Sequence, residues 1–167
     1  MTRVSKAVIS LAIICALFLS GCINFVVPKM GSIALEDSRI DFPTEGAEET
    51  VWKGKHMDIK YSIANIDSQV TVSGYVNIHT NVLLSFPRGK TLFVKMNFLD
   101  GFGAVLGTMD ISPLQSVYAN VPESLKFSST HSIPIGTVSF NFNYYGVLTS
   151  DAKSSSEDRE LFYSPFD

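Results

Sequence analysis

The chain has 167 residues, of which 46% are apolar, 17% charged and 11% aromatic, a balance that suits one globular domain and excludes a disordered chain. Its 13 basic and 16 acidic residues leave a net charge of −3 with no dense Lys/Arg cluster, which argues against nucleic acid as a partner. The two cysteines, Cys15 and Cys22, both stand near the N-terminus, which excludes a disulfide scaffold and a cysteine-rich metal site in the body of the chain.

In chain order, Arg3 and Lys6 precede an apolar stretch over residues 7–19, and Leu19-Ser20-Gly21-Cys22 follows it. A charged flank, an apolar segment and a small-residue site are the parts of a secretory signal peptide, over residues 1–21. The four residues Leu19, Ser20, Gly21 and Cys22 resemble the lipobox of bacterial lipoproteins. The resemblance implies a diacylglycerol thioether on Cys22 and cleavage before it, leaving 146 of the 167 residues and, with Arg3 and Lys6 gone, a charge of −5 instead of −3. An uncleaved signal anchor is the competing reading, since apolar character continues to Val27 and about 20 residues span a bilayer. Both readings put the body outside the cytoplasm, because positive charge before the apolar stretch stays inside. Ile23, where inner-membrane lipoproteins of enterobacterial type carry aspartate, implies by the same resemblance an outer-membrane, periplasm-facing location.

Residues 22–32 read as a lipidated tether. The next stretch, 36–49, holds Glu36, Asp37, Asp41, Glu45, Glu48 and Glu49 against Arg39 alone and reads as a solvated loop around Pro43 and Gly46. Beyond Val51 the apolar period is two, the mark of strands. Val70, Val72, Gly74, Val76 and Ile78 share one face, with Tyr75 breaking the polar side; Leu92, Val94, Met96 and Phe98 share another; Val138, Phe140, Phe142 and Tyr144 a third. Weaker strands are expected near 33–36, 51–53, 57–63, 104–111 and 125–132, and a turn of helix near 113–119 or 121–125.

Strands with one apolar face each need a second sheet to cover it, so residues 33–149 predict an all-β, antiparallel β-sandwich of about seven or eight strands. A chain of this size buries roughly 70% of its extended surface, enough to be stable without a disulfide. The run LFVKMNFLDGFGAVLGT at 92–108, with Ser73-Gly74-Tyr75-Val76-Asn77 upstream, resembles the central hairpin of the immunoglobulin-like FxLYD-type domains of prokaryotic envelope proteins. It departs from them at the signature, where Met96, Phe98 and Leu99 stand for the family's phenylalanine, leucine and tyrosine and Asp100 alone agrees. The resemblance implies an immunoglobulin-like sandwich and supplies no catalytic residues.

His56, His79 and His131 are isolated, without a second ligand two or four positions away, and read as surface or hydrogen-bonded side chains instead of metal ligands. Asp100 and Asp110 read as a turn former and a strand end. No nucleophile elbow and no phosphate loop is present in the sequence, so the expectation is no enzyme, no cofactor and no metal. Residues 150–160 read as a polar linker, and Leu161, Phe162, Tyr163 and Phe166 as an aromatic segment, either docked on its own domain, the favoured choice, or offered to a partner. The functional expectation is a membrane-anchored, non-enzymatic interaction or assembly module of the bacterial envelope with a protein partner; the alternative is a carrier of a small apolar ligand in a barrel or sandwich cavity.

Overall fold

A computed structural model describes residues 27–113, 119–151 and 157–166. Among them are ten strands: β1 (Ile40–Asp41), β2 (Ala47–Lys53), β3 (Met57–Ile66), β4 (Gln69–Ile78), β5 (Arg88–Leu99), β6 (Val105–Asp110), β7 (Ala119–Asn120), β8 (Ser124–Ser132), β9 (Ser139–Thr149) and β10 (Asp158–Tyr163). Eight of these are six residues or longer, and the other two have two residues each. The protein is an antiparallel β-sandwich, as the period of two predicts.

One sheet has the order β2-β3-β4-β8 and the other β1-β9-β5-β6, with β10 also on β9 and β7 also on β5. β1 pairs with Phe140 and Ser139 at the start of β9 while β10 pairs with residues 144–149 at its end, so the two short strands share a single edge. The same division occurs beyond β5, where β7 lies on Arg88 and Gly89 and β6 on residues 95–99. The hairpins β3–β4, β5–β6 and β9–β10 each stay in one sheet, while the chain crosses between sheets from β1 to β2, from β4 to β5, from β6 to β8 and from β8 to β9.

The inner faces follow directly from the alternation. Val70, Val72, Val76 and Ile78 of β4 meet Leu92, Val94, Met96 and Phe98 of β5 and Phe140, Phe142 and Tyr144 of β9 in one core, all buried. Rings fill the centre in edge-to-face contacts, Tyr61 on Phe142 at 5.2 Å and Phe140 on Phe142 at 5.6 Å, the geometry that aromatic quadrupoles favour. Tyr75 points outward, as the interrupted pattern implies. Gly74 sits where a Cβ would strike the backbone carbonyl of Lys60, so the close pairing of β3 with β4 depends on a residue without a side chain.

Several expectations need correction. The acidic stretch 36–49 is structured, with a 3-10 turn at Glu36–Ser38, then β1, then the start of β2. Near 33–36 there are two isolated bridges, Ile33 to Ala104 and Ala34 to Phe166, in place of a strand. A helix does form, α1 (Thr80–Ser85), in a stretch with no helical period because only Leu83 is buried. Residues 121–125 run into β8 instead of a helical turn, and the other candidate turn falls mostly on 114–118, outside the described residues.

Candidate functional site

Cys22 lies outside the described residues. The four aromatic-segment positions lie within or just after β10. Leu161 is completely buried opposite Gly146; a Cβ at Gly146 would stand 3.0 Å from Leu92 Cδ1 and 3.8 Å from Leu161 Cβ, so the glycine makes the seat that Leu161 occupies. Tyr163 stacks on Tyr144 at 5.8 Å and packs against Trp52 at 5.3 Å, closing the seam between the edges β2 and β10. Phe162 points the other way, 40% exposed, opposite Tyr145. Phe166 covers a second small core of Ala34, Leu99 and Val105. The segment is thus the edge strand of its own sheet, and part of what reads as linker, residues 158–160, belongs to it.

The same seam holds the one histidine that burial makes chemically distinct. His56 is buried, with Nδ1 2.9 Å from the Tyr144 hydroxyl. Desolvation, then the positive charges of Lys55 and Arg159 and the neighbouring His79, hold its pKa below the usual imidazole value. Burial pushes the Tyr144 hydroxyl up to about 12, and burial likewise raises Tyr163. His79 is tied by Nε2 to Asp58 at 3.1 Å, and its backbone N–H donates to the carbonyl of His56. His131 stacks on Phe98 at 5.9 Å. The structure therefore brings His56 and His79 side by side and leaves His131 at the far end of β8; among the described residues no group of three His, Cys, Asp or Glu could hold a metal ion.

The two aspartates do not converge. Asp100 accepts from the backbone N–H groups of Phe102 and Ala104 through Oδ1, both at 2.8 Å, and so fixes the β5–β6 turn. Asp110 accepts from Lys95 Nζ at 2.5 Å and from the Ser112 N–H at 2.8 Å. Burial pushes its carboxyl up, but these bonds and the Lys95 charge outweigh it and the pKa lies below the ordinary carboxylate value.

An unexpected polar cluster lies on the outer face of the β9–β5–β6 sheet, where alternation predicts side chains open to water. Asn97, Asn141 and Asn143 are buried there. Asn97 Nδ2 donates to Asn141 Oδ1 and Asn143 Oδ1, both at 2.9 Å, and Asn97 Oδ1 accepts from Thr108 Oγ1 at 3.0 Å. Asn141 Nδ2 reaches Ser38 Oγ at 3.4 Å, whose hydroxyl donates to the carbonyl of Leu35. The cluster pins the 3-10 turn and the tether before it to the sheet. The regular Asn spacing on β5 and β9 is a signal in the sequence, but its burial depends on a cover contributed from residues 35–38, which periodicity does not register.

A mainly apolar cleft of about 230 Å³ opens between the sheets at their β1 and β2 edges, lined by Ile40, Pro43, Thr50, Tyr61, Ile63 and Phe140 with Asp41 among them. Pockets that enclose small molecules begin at roughly 300 Å³. Comparison with protein-family models, with curated proteins and with solved structures gives no match for this chain.

Proposed function

We propose that the chain is an exported lipoprotein of the bacterial envelope, held through lipid on Cys22 at the outer membrane and facing the periplasm, where it works by contact with another envelope protein and not by catalysis. The observation that carries this reading is that the segment following the lipobox-like motif is built into the fold. Gly31 N–H donates to Val105 O, Val105 N–H to Ser32 O, Ala34 N–H to Gly103 O and Leu35 N–H to Pro165 O, all between 2.8 and 3.0 Å. A body bonded this way to Gly31, Ser32, Ala34 and Leu35 keeps the described segment that follows the motif against its own loops, which suits a module that presents a surface. The hairpin that carries the likeness to FxLYD-type domains is β5–β6, turning at Asp100. Against catalysis stand the pairings of the titratable groups: His56 with Tyr144, His79 with Asp58, Asp110 with Lys95 and Asp158 with Lys90 each serve a neighbour within the fold.

The alternative, a carrier of a small apolar ligand, has the cleft beside β1 to use; at about 230 Å³ and open to solvent it suits a side chain from a partner better than an enclosed guest. Metabolic labelling with a fatty acid tests the anchor: Cys22→Ala is expected to lose the label and accumulate as precursor, and normal labelling of that variant refutes lipidation at Cys22. Crosslinking in the native host followed by capture tests the contact role; recovery of the chain free of any specific partner refutes it.

A further inference from the structure

Twelve large apolar side chains are exposed among the described residues, and they are unevenly placed. Val51, Tyr75 and Phe162 lie singly on strands and Leu84 lies on α1. The other eight gather at one pole of the sandwich, where the β3–β4 turn, the β5–β6 turn, the β8–β9 loop and the tether meet. Four of them are Val27 and Met30 on the tether and Ile33 and Leu35 just after it. Hydrogen bonds fix these loops against one another: Ile133 N–H to Ser68 O ties the β8–β9 loop to the β3–β4 turn, Val138 N–H to Leu99 O ties it to the end of β5, and Ala34 N–H to Gly103 O ties the tether to the β5–β6 turn.

Two loop tips protrude most. Phe102, 83% exposed, stands between Gly101 and Gly103, and Ile135, 99% exposed, between Pro134 and Gly136. Both tips are held rigid from behind, the first by the two hydrogen bonds to Asp100 and the second by the Thr137 hydroxyl and N–H, which both donate to Pro134 O. A rigid tip carrying one large apolar side chain loses little entropy on insertion and gains the full transfer of that side chain. A patch of this kind on a monomer marks an interaction surface.

We infer that this pole is a membrane-docking surface whose occupant is the interfacial layer of the same bilayer that holds the anchor, with Phe102 and Ile135 as the inserted residues. The inference rests on the anchored reading above and adds the orientation of the body. The bilayer is favoured as occupant because Gly31, bonded to Val105 at this pole, stands only nine residues after Cys22 in the sequence, so the proposed anchor is joined to the body here. Charge selects the kind of lipid surface. Asp67 on the β3–β4 turn and Asp100 on the β5–β6 turn are balanced by Lys29 and by Arg39, whose guanidinium lies against Gly103, so docking proceeds by apolar insertion with no electrostatic help from anionic headgroups.

The test uses the full chain carrying Cys15→Ser, reconstituted in phosphatidylcholine vesicles, with a nitroxide attached in turn through Phe102→Cys, Ile135→Cys or Leu84→Cys. All three positions are exposed, so unchanged Trp52 emission and melting temperature verify the fold of each variant. Collision with oxygen, which concentrates in lipid, is compared with collision with a water-soluble nickel chelate. The expected result is oxygen-dominated relaxation at 102 and 135 and nickel-dominated relaxation at 84. Vesicle-bound protein with all three labels nickel-dominated overturns the docking pole, leaves the anchor standing and assigns the patch to a protein partner. Protein that fails to float with the vesicles overturns both. Label found by mass spectrometry on Cys22 as well overturns the lipid anchor alone, while the depth readings still decide the pole.

Discussion

Replacement of Leu161 by alanine measures how far the domain depends on its last strand. The side chain is completely buried, seated over Gly146 and beside Leu92, on an edge strand whose other inward residue, Tyr163, plugs the seam at Trp52 and Tyr144. Leu→Ala at such a site removes the transfer energy of three carbons and leaves a cavity that the glycine opposite cannot fill, so the cost is expected in the upper part of the usual range, about 3 to 4 kcal/mol. Against a total stability of roughly 5 to 15 kcal/mol that is a large fraction, and it lowers the melting temperature by about 10 °C for a domain of this size. The single tryptophan is a local reporter, since Trp52 packs on Tyr163 at 5.3 Å and on Phe142 at 5.6 Å; guanidinium unfolding followed by its emission gives the number. Phe162→Ser, one residue along and pointing out of the sandwich, is expected to cost less than half as much. If Leu161→Ala lowers stability by less than about 1 kcal/mol, well below the range for a buried leucine, β10 is not part of the cooperative fold and the account of the seam fails.

Asn97→Ala strips the donor from Asn141 Oδ1 and Asn143 Oδ1 and the acceptor from Thr108 Oγ1, so it is expected to destabilise by about 2 to 4 kcal/mol; a neutral result in urea unfolding would mean that water enters the cluster freely. Gly103→Ala forces a φ of +84° on a side chain that would also overlap the Arg39 guanidinium, and calorimetry is expected to give a loss of at least about 1 kcal/mol. The lowered pKa of His56 predicts an acid-sensitive fold. The unfolded imidazole takes up its proton near its ordinary value of 6.5 while the folded one resists, so stability is lost as pH falls below that value and stops falling only beneath the folded pKa; His56→Asn should flatten this part of the melting-temperature profile. Asp110, with its pKa lowered, acts in a separate and more acidic window: its contribution is present above the ordinary carboxylate value of 3.8 and is lost as pH falls through the folded pKa.

The strands that alternate strictly were legible from the sequence because one face of each is apolar: β4, β5 and β9 could be placed from Val70, Leu92 and Val138 onward, with the exception at Tyr75 visible, although Val138 itself is exposed and precedes β9. What alternation does not encode is what lies over the other face. Asn97, Asn141 and Asn143 have the spacing of solvent-facing residues but are buried, bonded to one another, with Ser38 of the 3-10 turn bonded to Asn141. β10 was obscured because Asp158, Arg159 and Glu160 look like linker when read without the edge of β9 beside them. α1 presents one buried residue, Leu83, too few to define a period. The meeting of His56 with Tyr144 spans 88 positions and has no local trace, since it depends on the β2–β3 turn of one sheet meeting β9 of the other.

The bridge between Ala34 and Phe166 sets an order of events for a chain that is synthesised amino end first. Ala34 is made early, yet Ala34, Leu99 and Val105 cannot be covered until Phe166 arrives. Pairings of such long sequence separation are the slow ones. The small core of Ala34, Leu99 and Val105 therefore closes late, after β9 and β10 have joined, and it stays an open apolar notch until Phe166 seats on it.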